Sequence, residues 1–254
     1  MTTPALGYFL GDVRFVARDG GVCFTHRKSE GTLWLRGGRL QPGERYMAIP
    51  ANDRRELARA AAMIRLRARS RWLIHAAGVV DPAGRAWLLA GDSGSGKSTL
   101  AYALSRAGWS VLGDDGVLVE VLPQGVVAYA WREALRVSTA LGRHFPELRG
   151  RKAQVEPGDP RRRVPMVPPL ARKATVAAVI FLERDVVDAT HALARTEALA
   201  ALVRQSPWVM IDDAYSGHHL AALSDIARRV PAYRLRHTSA QLMRVDRTLL
   251  ETCA

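Results

Sequence analysis

The run Gly91-Asp92-Ser93-Gly94-Ser95-Gly96-Lys97-Ser98-Thr99 decides how the chain is read. It satisfies the phosphate-loop pattern G-x-x-x-x-G-K-[ST] at every fixed position. The apolar run Ala86-Trp87-Leu88-Leu89-Ala90 leads in as a buried strand, and Leu100-Ala101-Tyr102-Ala103-Leu104 leads out as a helix that stops at Gly108. Each residue type has a physical reason. Glycines let backbone N–H groups curl round a β-phosphate where a side chain would block the approach. The helix that starts at Lys97 turns its positive end toward the same anion. Lys97 neutralises the β- and γ-phosphates, and the Ser98 hydroxyl is placed to ligate Mg²⁺. A chance glycine-rich turn has no reason to sit between a buried strand and a helix in register. The stretch therefore implies a nucleoside triphosphate site, Gly91 to Thr99, with ATP and Mg²⁺ as its ligands.

Working outward, Asp114 lies 17 residues after Lys97, one helix and one strand later. Trp109-Ser110-Val111-Leu112 reads as that strand, delivering Gly113-Asp114-Asp115-Gly116 to the same sheet edge as the loop. Two adjacent carboxylates there can divide two tasks, taking a proton from an acceptor hydroxyl and holding Mg²⁺. Alone, Asp-Asp-Gly would be an ordinary turn. Upstream, Trp72 to Val80 reads as one strand ending in the turn Asp81-Pro82-Ala83-Gly84, so the loop strand is the second arm of a hairpin. His75 lies on the first arm. A lone histidine in an apolar strand is ordinarily a core residue, and its place one hairpin from the loop is what makes it a candidate.

The rest of the chain is read more coarsely. Tyr8 to Leu10, Val13 to Val16, Val22 to Phe24 and Leu33 to Leu35 are short β segments, with turns at Gly20-Gly21 and Gly37-Gly38. Asn52 or Asp53 is expected to cap a helix from Arg54 to about Arg69, with Leu57, Ala60, Ala61, Ile64 and Ala68 on its apolar face. A hairpin is expected over Val117 to Trp131, a buried strand over Val176 to Leu182, and a helix from Glu197 to Gln205 capped by Thr196. A helix from about Gly217 to Arg229, a strand from Ala232 to Leu235 and a last helix from Gln241 to Glu251 complete the reading. The segment Gly150 to Lys173 is rich in proline and arginine, with Arg161-Arg162-Arg163 in its middle. It reads as a mobile or functional segment that does not pair regularly. We take residues 1–50 as a small β-rich appendage and 51–254 as the phosphate-loop domain, of α/β class with a mixed sheet.

Composition sets outer limits. At 254 residues and 48% hydrophobic the chain can bury a full core. Cys23 and Cys253 make neither a disulfide framework nor a metal-ligand spacing. No signal-peptide pattern and no membrane-spanning run are present, so a soluble cytoplasmic protein is expected. The net charge of +13 is carried almost wholly by arginine. Arginine-favouring codon usage is one reading of that excess, and anionic ligands are the other. Nucleic acid is not an expected partner: basic and aromatic residues are not interleaved, and no helix-turn-helix pattern occurs.

Taken together, His75-Ala76-Ala77-Gly78-Val79-Val80-Asp81, the phosphate loop and Gly113-Asp114-Asp115 resemble the catalytic domain of the HPr kinase/phosphorylase family. That family's fold is similar to phosphoenolpyruvate carboxykinase. The resemblance implies that Asp114 is the base that activates an acceptor serine, that Asp115 is its partner near the metal, and that His75 lies near the reacting groups. It also implies a peptide or small-protein acceptor and a homo-oligomer. The match is concentrated in residues 70–120. Beyond it, Arg132 to Gly142 resembles the family's signature segment through Arg132, Val137, Thr139 and Gly142, and Arg172 stands where the family has a later arginine. Arg132 and Arg172, with Arg136 and Arg161 to Arg163, form the candidate acceptor-binding set. Thr99 departs from the family, which carries a metal-binding acid there, and the amino-terminal part is much shorter than the family's regulatory domain. In size and layout the chain is similar to the related kinases that phosphorylate the carboxy-terminal serine of lasso-peptide precursors. A small-molecule kinase of the shikimate or nucleoside type shares the spacing from lysine to aspartate but lacks the hairpin carrying His75. A nucleotide-dependent switch acting on nucleic acid is the third reading.

Overall fold

The protein is described from a computed structural model, which covers residues 7–10, 12–131, 135–138, 145–149, 154–156, 159–166 and 169–238. The chain divides into two compact units, Met1–Trp72 with Pro207–Ala221, and Leu73–Ser206 with Ala222–Ala254.

In the first unit β1 (Tyr8–Leu10), β2 (Val13–Arg18), β3 (Gly21–His26), β4 (Ser29–Arg36) and β5 (Arg39–Pro42) form an antiparallel sheet in sequence order. Alternation puts Val13, Phe15, Val22, Phe24, Leu33 and Leu35 inside. Helix α1 (Ala51–Arg67) covers them with Leu57, Ala60, Ala61 and Ile64, the apolar stripe expected at helical spacing. Ala68 is not part of that face: it is the exposed C-cap residue. Nor do Asn52 or Asp53 cap the helix, which starts after Pro50 with no side-chain cap. Asp53 instead accepts a hydrogen bond from Ser29 and lies 3.3 Å from His26 Nδ1. Within the same unit the buried Arg67 donates to Asp212 Oδ2 at 2.8 Å and to Val209 O at 3.3 Å, and His219 stacks on Trp72 with ring centroids 4.8 Å apart.

The second unit is built on a nine-stranded mixed sheet. Its strands begin with β6 (Trp72–Ile74), β7 (Ala76–Val80) and β8 (Arg85–Ala90). After α2 (Lys97–Arg106) come β9 (Ser110–Gly113), β10 (Val117–Leu122) and β11 (Gly125–Tyr129). Next are β12 (Leu135–Ser138), β13 (Gln154–Glu156), β14 (Asp159–Met166), β15 (Lys173–Arg184) and β16 (Ala189–Ala192). Helices α3 (Arg195–Arg204) and α4 (Asp213–Arg229) precede β17 (Ala232–His237), and the residues of α4 are shared between the units. The sheet runs β6-β10-β11-β15-β8-β7-β9, with β17 added on β15 and β16 on β17. β15 is parallel to both β8 and β17, whereas β7 is antiparallel to both of its neighbours, β8 and β9. The core beneath α2 gathers Val79, Trp87, Leu89, Leu100, Leu104, Trp109 and Ile180.

The expected hairpin over residues 76–90 is present and its turn is chemically specified. Asp81 Oδ1 accepts from the Arg85 N–H at 2.8 Å, and Oδ2 accepts from Arg85 Nε at 2.8 Å and from the Trp87 indole at 3.1 Å. Burial raises the Asp81 pKa, but those hydrogen bonds outweigh it and hold the carboxyl below its ordinary value. Two expectations need correction. Trp72 to Val80 is not one strand: it breaks at His75, whose N–H donates to Gln205 O at 2.8 Å and leaves the ladder. The arginine segment is not irregular either, because β14 pairs with β12 and β13 in a separate three-stranded sheet. Pro165 pairs with Arg136 of β12, and among the described residues it has no partner on the β13 side, where a missing N–H is tolerated. Helix α3 begins one residue before Thr196, and its first turn is closed by Glu197, which accepts from the Ala194 N–H at 3.0 Å. The last expected helix, Gln241 to Glu251, lies outside the described residues. Among the described residues no helix is long and apolar enough to cross a membrane.

Candidate active site

Strand direction assembles the site. β8 and β9 both point their carboxyl ends at one edge of the sheet, the edge where α/β sheets bind ligands. β7 runs the other way between them, so it is its beginning that reaches that edge. Ala76 pairs with Ala90, which places His75 beside Gly91 where the phosphate loop starts. Gly113 pairs with Gly78, so Asp114 and Asp115 continue past Ala77 toward His75. Phe181 of β15 pairs with Ala90 on the other side. One sheet edge thus carries His75, the loop and the two carboxylates.

The loop has no room for side chains at its first turn. Gly91 has φ +143°, and a Cβ there would lie 2.6 Å from Leu182 O and 2.8 Å from Ser95 Oγ. The loop closes on itself through Ser95 N–H, which donates to Asp92 O at 3.1 Å, and α2 begins at Lys97. Lys97 is buried, and its Nζ donates to Gly91 O at 2.6 Å and to Asp92 O at 3.0 Å. Asp92, Ser93 and Gly94 are exposed, while Ser98 and Thr99 are half-buried on the first turn of α2.

Around the loop, Asp114 is buried at 1% exposure and Asp115 is half-buried, so the two carboxylates sit in different environments. Gln205, just after α3, links two of the candidates: its carbonyl holds the His75 N–H, its Nε2 donates to Asp92 Oδ1 at 3.3 Å, and its side chain bonds the His75 ring. Burial lowers the His75 pKa, and the nearby Lys97 charge lowers it further. Asp115, the Gln205 hydrogen bond and Asp92 act in the opposite direction and do not cancel this. His75 is therefore held neutral, within electrostatic reach of Lys97, Asp115 and Asp92.

The structure thus brings together His75, Asp114, Asp115 and the loop residues Gly91 to Thr99. Arg172 is exposed and is carried beside β9: the preceding Ala171 N–H donates to Val111 O at 3.0 Å. Arg161 to Arg163 lie on β14, and Arg136 on β12 is paired with Pro165. Arg132 lies outside the described residues. Two residues that the sequence did not mark as site candidates belong here, Gln205 and the wholly buried His237, whose Nε2 is 2.7 Å from Ser95 O. Neither sits in a motif. The strand expected from the sequence, Ala232 to Leu235, stops two residues short of His237, which is the last residue of β17. A cavity of about 1050 Å³ lies elsewhere, in the first unit, lined by residues such as Leu35, Leu66 and Ile211 and by none of the phosphate loop.

No family model matches the chain, and no curated protein matches it. Among solved structures, the Hpr(Ser) kinase/phosphatase from Coxiella burnetii is similar to it at a TM-score of 0.37 and 11% sequence identity, over 71% of this chain and 92% of that one.

Proposed function

We propose that the chain is an ATP-dependent kinase that transfers the γ-phosphoryl group to a serine hydroxyl of a peptide or small protein. The observation that carries the reading is the convergence of a neutral His75, the Lys97 ammonium and the Asp114–Asp115 pair on one sheet edge. Such a set can do phosphoryl transfer, which needs positioning and charge compensation more than covalent chemistry. The loop fits a triphosphate because three glycines with positive φ, Gly91, Gly94 and Gly96, lead into the backbone amides at the start of α2. Ser98 and Asp115 would hold Mg²⁺, whose chemistry is to neutralise the phosphate oxygens. Among the described residues no three His, Cys, Asp or Glu side chains form a metal cluster. That suits Mg²⁺, which is held by one or two carboxylates together with substrate phosphates.

In this reading Asp114 takes the proton of the acceptor hydroxyl. Lys97 compensates charge on the phosphates, leaving the loop carbonyls it now holds. His75 offers a hydrogen bond at the reacting edge without adding charge. Arg161, Arg162 and Arg163, with Arg136 and Arg172, supply guanidinium contacts to the acceptor or to phosphate. The resemblance of the motifs makes the carboxy-terminal serine of a lasso-peptide precursor the acceptor to try first.

The test is to incubate the full chain with γ-labelled ATP, Mg²⁺ and any serine-containing peptide encoded beside its gene. Label on the peptide serine is the expected result. Label only on small-molecule hydroxyl acceptors would move the protein to the small-molecule kinases, and absence of nucleotide binding would remove the kinase reading altogether.

A further inference from the structure

We infer that His237 is a positioning residue for the phosphate loop: its imidazole holds the Ser95–Gly96 peptide so that the Gly96 N–H faces the phosphate side. The inference rests on the reading of the loop as a triphosphate site.

His237 is the last residue of β17, and none of it is exposed. Its Nε2 lies 2.7 Å from Ser95 O. A carbonyl oxygen can only accept, so Nε2 carries the hydrogen and donates. The main chain on both sides of the ring is pinned. His237 O accepts from the Asp185 N–H at 3.0 Å, the next N–H, Thr238, donates to Asp188 Oδ1 at 2.7 Å, and His237 is in register with Arg184. The imidazole is a fixed post on the sheet, and the loop leans on it.

What the post controls follows from peptide geometry. No peptide bond among the described residues is cis, and in a trans unit the C=O and the following N–H point in opposite directions. With the Ser95 carbonyl turned to His237, the Gly96 N–H is turned away from it. Gly96 has φ +102°, which glycine alone adopts without strain, and a glycine on that side of a peptide lets the whole unit flip. A flipped unit would aim an oxygen at an incoming phosphate where a hydrogen is needed. Lys97 occupies the carbonyls of Gly91 and Asp92, and His237 occupies that of Ser95. Lys97 gives up its two carbonyls when it turns to the phosphates, so His237 keeps the Ser95 carbonyl tied while the amide side takes the anion. Donors oriented before binding do not have to be oriented at its expense.

The experiment measures ADP affinity by calorimetry for the wild-type chain and for His237→Gln, His237→Asn and His237→Ala, with Leu235→Val as a core truncation on the same strand. Gln reaches as far as Nε2 and carries an N–H donor, whereas Asn is too short to reach Ser95 O. His237→Ala and His237→Asn are expected to raise the ADP Kd about tenfold, which corresponds to about 1.4 kcal/mol. His237→Gln should stay within about threefold of wild type, and Leu235→Val should lower the melting temperature without changing Kd. If His237→Ala does not fold, the contrast between Gln and Asn decides. Equal affinities of Asn and wild type, or losses that track melting temperature across all variants, would overturn the positioning role. A wild-type chain that binds no ADP would instead overturn the triphosphate site itself.

Discussion

Acid should destabilise this protein through His219, by an amount the structure sets. The residue is buried, and neither ring nitrogen has a hydrogen-bond partner among the described residues. Burial first, and the Arg67 charge second, lower its pKa to about 3. A histidine depressed in this way contributes its full stability above its unfolded value, about 6.5, and loses it as pH falls from there toward the folded value. The slope in that window is about 1.4 kcal/mol per pH unit, because unfolding takes up one proton. Between about pH 7.5 and about pH 5 the loss from this one group is therefore about 2 kcal/mol. Over that interval the loss depends on the unfolded value alone, since the folded ring stays unprotonated throughout. His219→Phe keeps a ring against Trp72, which lies at 4.8 Å, and removes the titration. Urea unfolding of both proteins at both pH values, followed by tryptophan fluorescence, isolates the effect because every other titrating group is shared. Wild type should lose about 2 kcal/mol more than the variant. Parallel losses would mean that the ring is solvated or protonated in the folded protein, and the argument from burial would fail.

Three further outcomes are expected. Lys97→Ala should abolish phosphoryl transfer and weaken ATP binding by about 2 kcal/mol or more, measured by calorimetry, because a desolvated ammonium–phosphate contact is lost; full turnover in this variant would remove the loop from the chemistry. Asp114→Asn should leave ATP affinity within a few-fold and cut turnover by about a hundredfold or more, as removal of a general base does. A dead Asp115→Asn beside an active Asp114→Asn would exchange the two roles. Asp81→Ala should cost about 2 kcal/mol in urea unfolding at neutral pH, since the donors at Arg85 and Trp87 lose a charged acceptor. The pKa of Asp81 is held below its ordinary value, so in wild type this contribution is present above the unfolded pKa and lost as acid protonates the carboxyl.

What could be read from the chain without its structure was what local chemistry specifies. The glycines and Lys97 define the loop, Asp81 and Gly84 define the hairpin turn, and an apolar run after one helix defines β9. Pairings between distant strands leave no such trace. That β15 would take β8 on one edge and both β11 and β17 on the other follows from packing, not from the periodicity of Val176 to Leu182. His75 looked like the middle of a strand because its neighbours are apolar on both sides, and the hydrogen bond that breaks the ladder comes from Gln205, 130 residues away in sequence. The prolines near Arg161 argued against pairing, but Pro165 has a partner on only one side among the described residues, a place where a missing donor is tolerated.

The reversal of β7 has a consequence for how the site is inherited along the chain. Because one arm of a hairpin carries His75 and the other leads into the loop, every proposed chemical group from His75 to Asp115 is delivered by a single stretch of hairpin, helix and strand. Gln205 and His237, which tether Asp92 and Ser95, arrive only after a long excursion: Gln205 after the three-stranded sheet and α3, His237 after α4 as well. The reactive groups are thus a short-range assembly, and their alignment is a long-range one. A chain stopped before Gln205 would contain all of the former and neither of these two tethers of the latter.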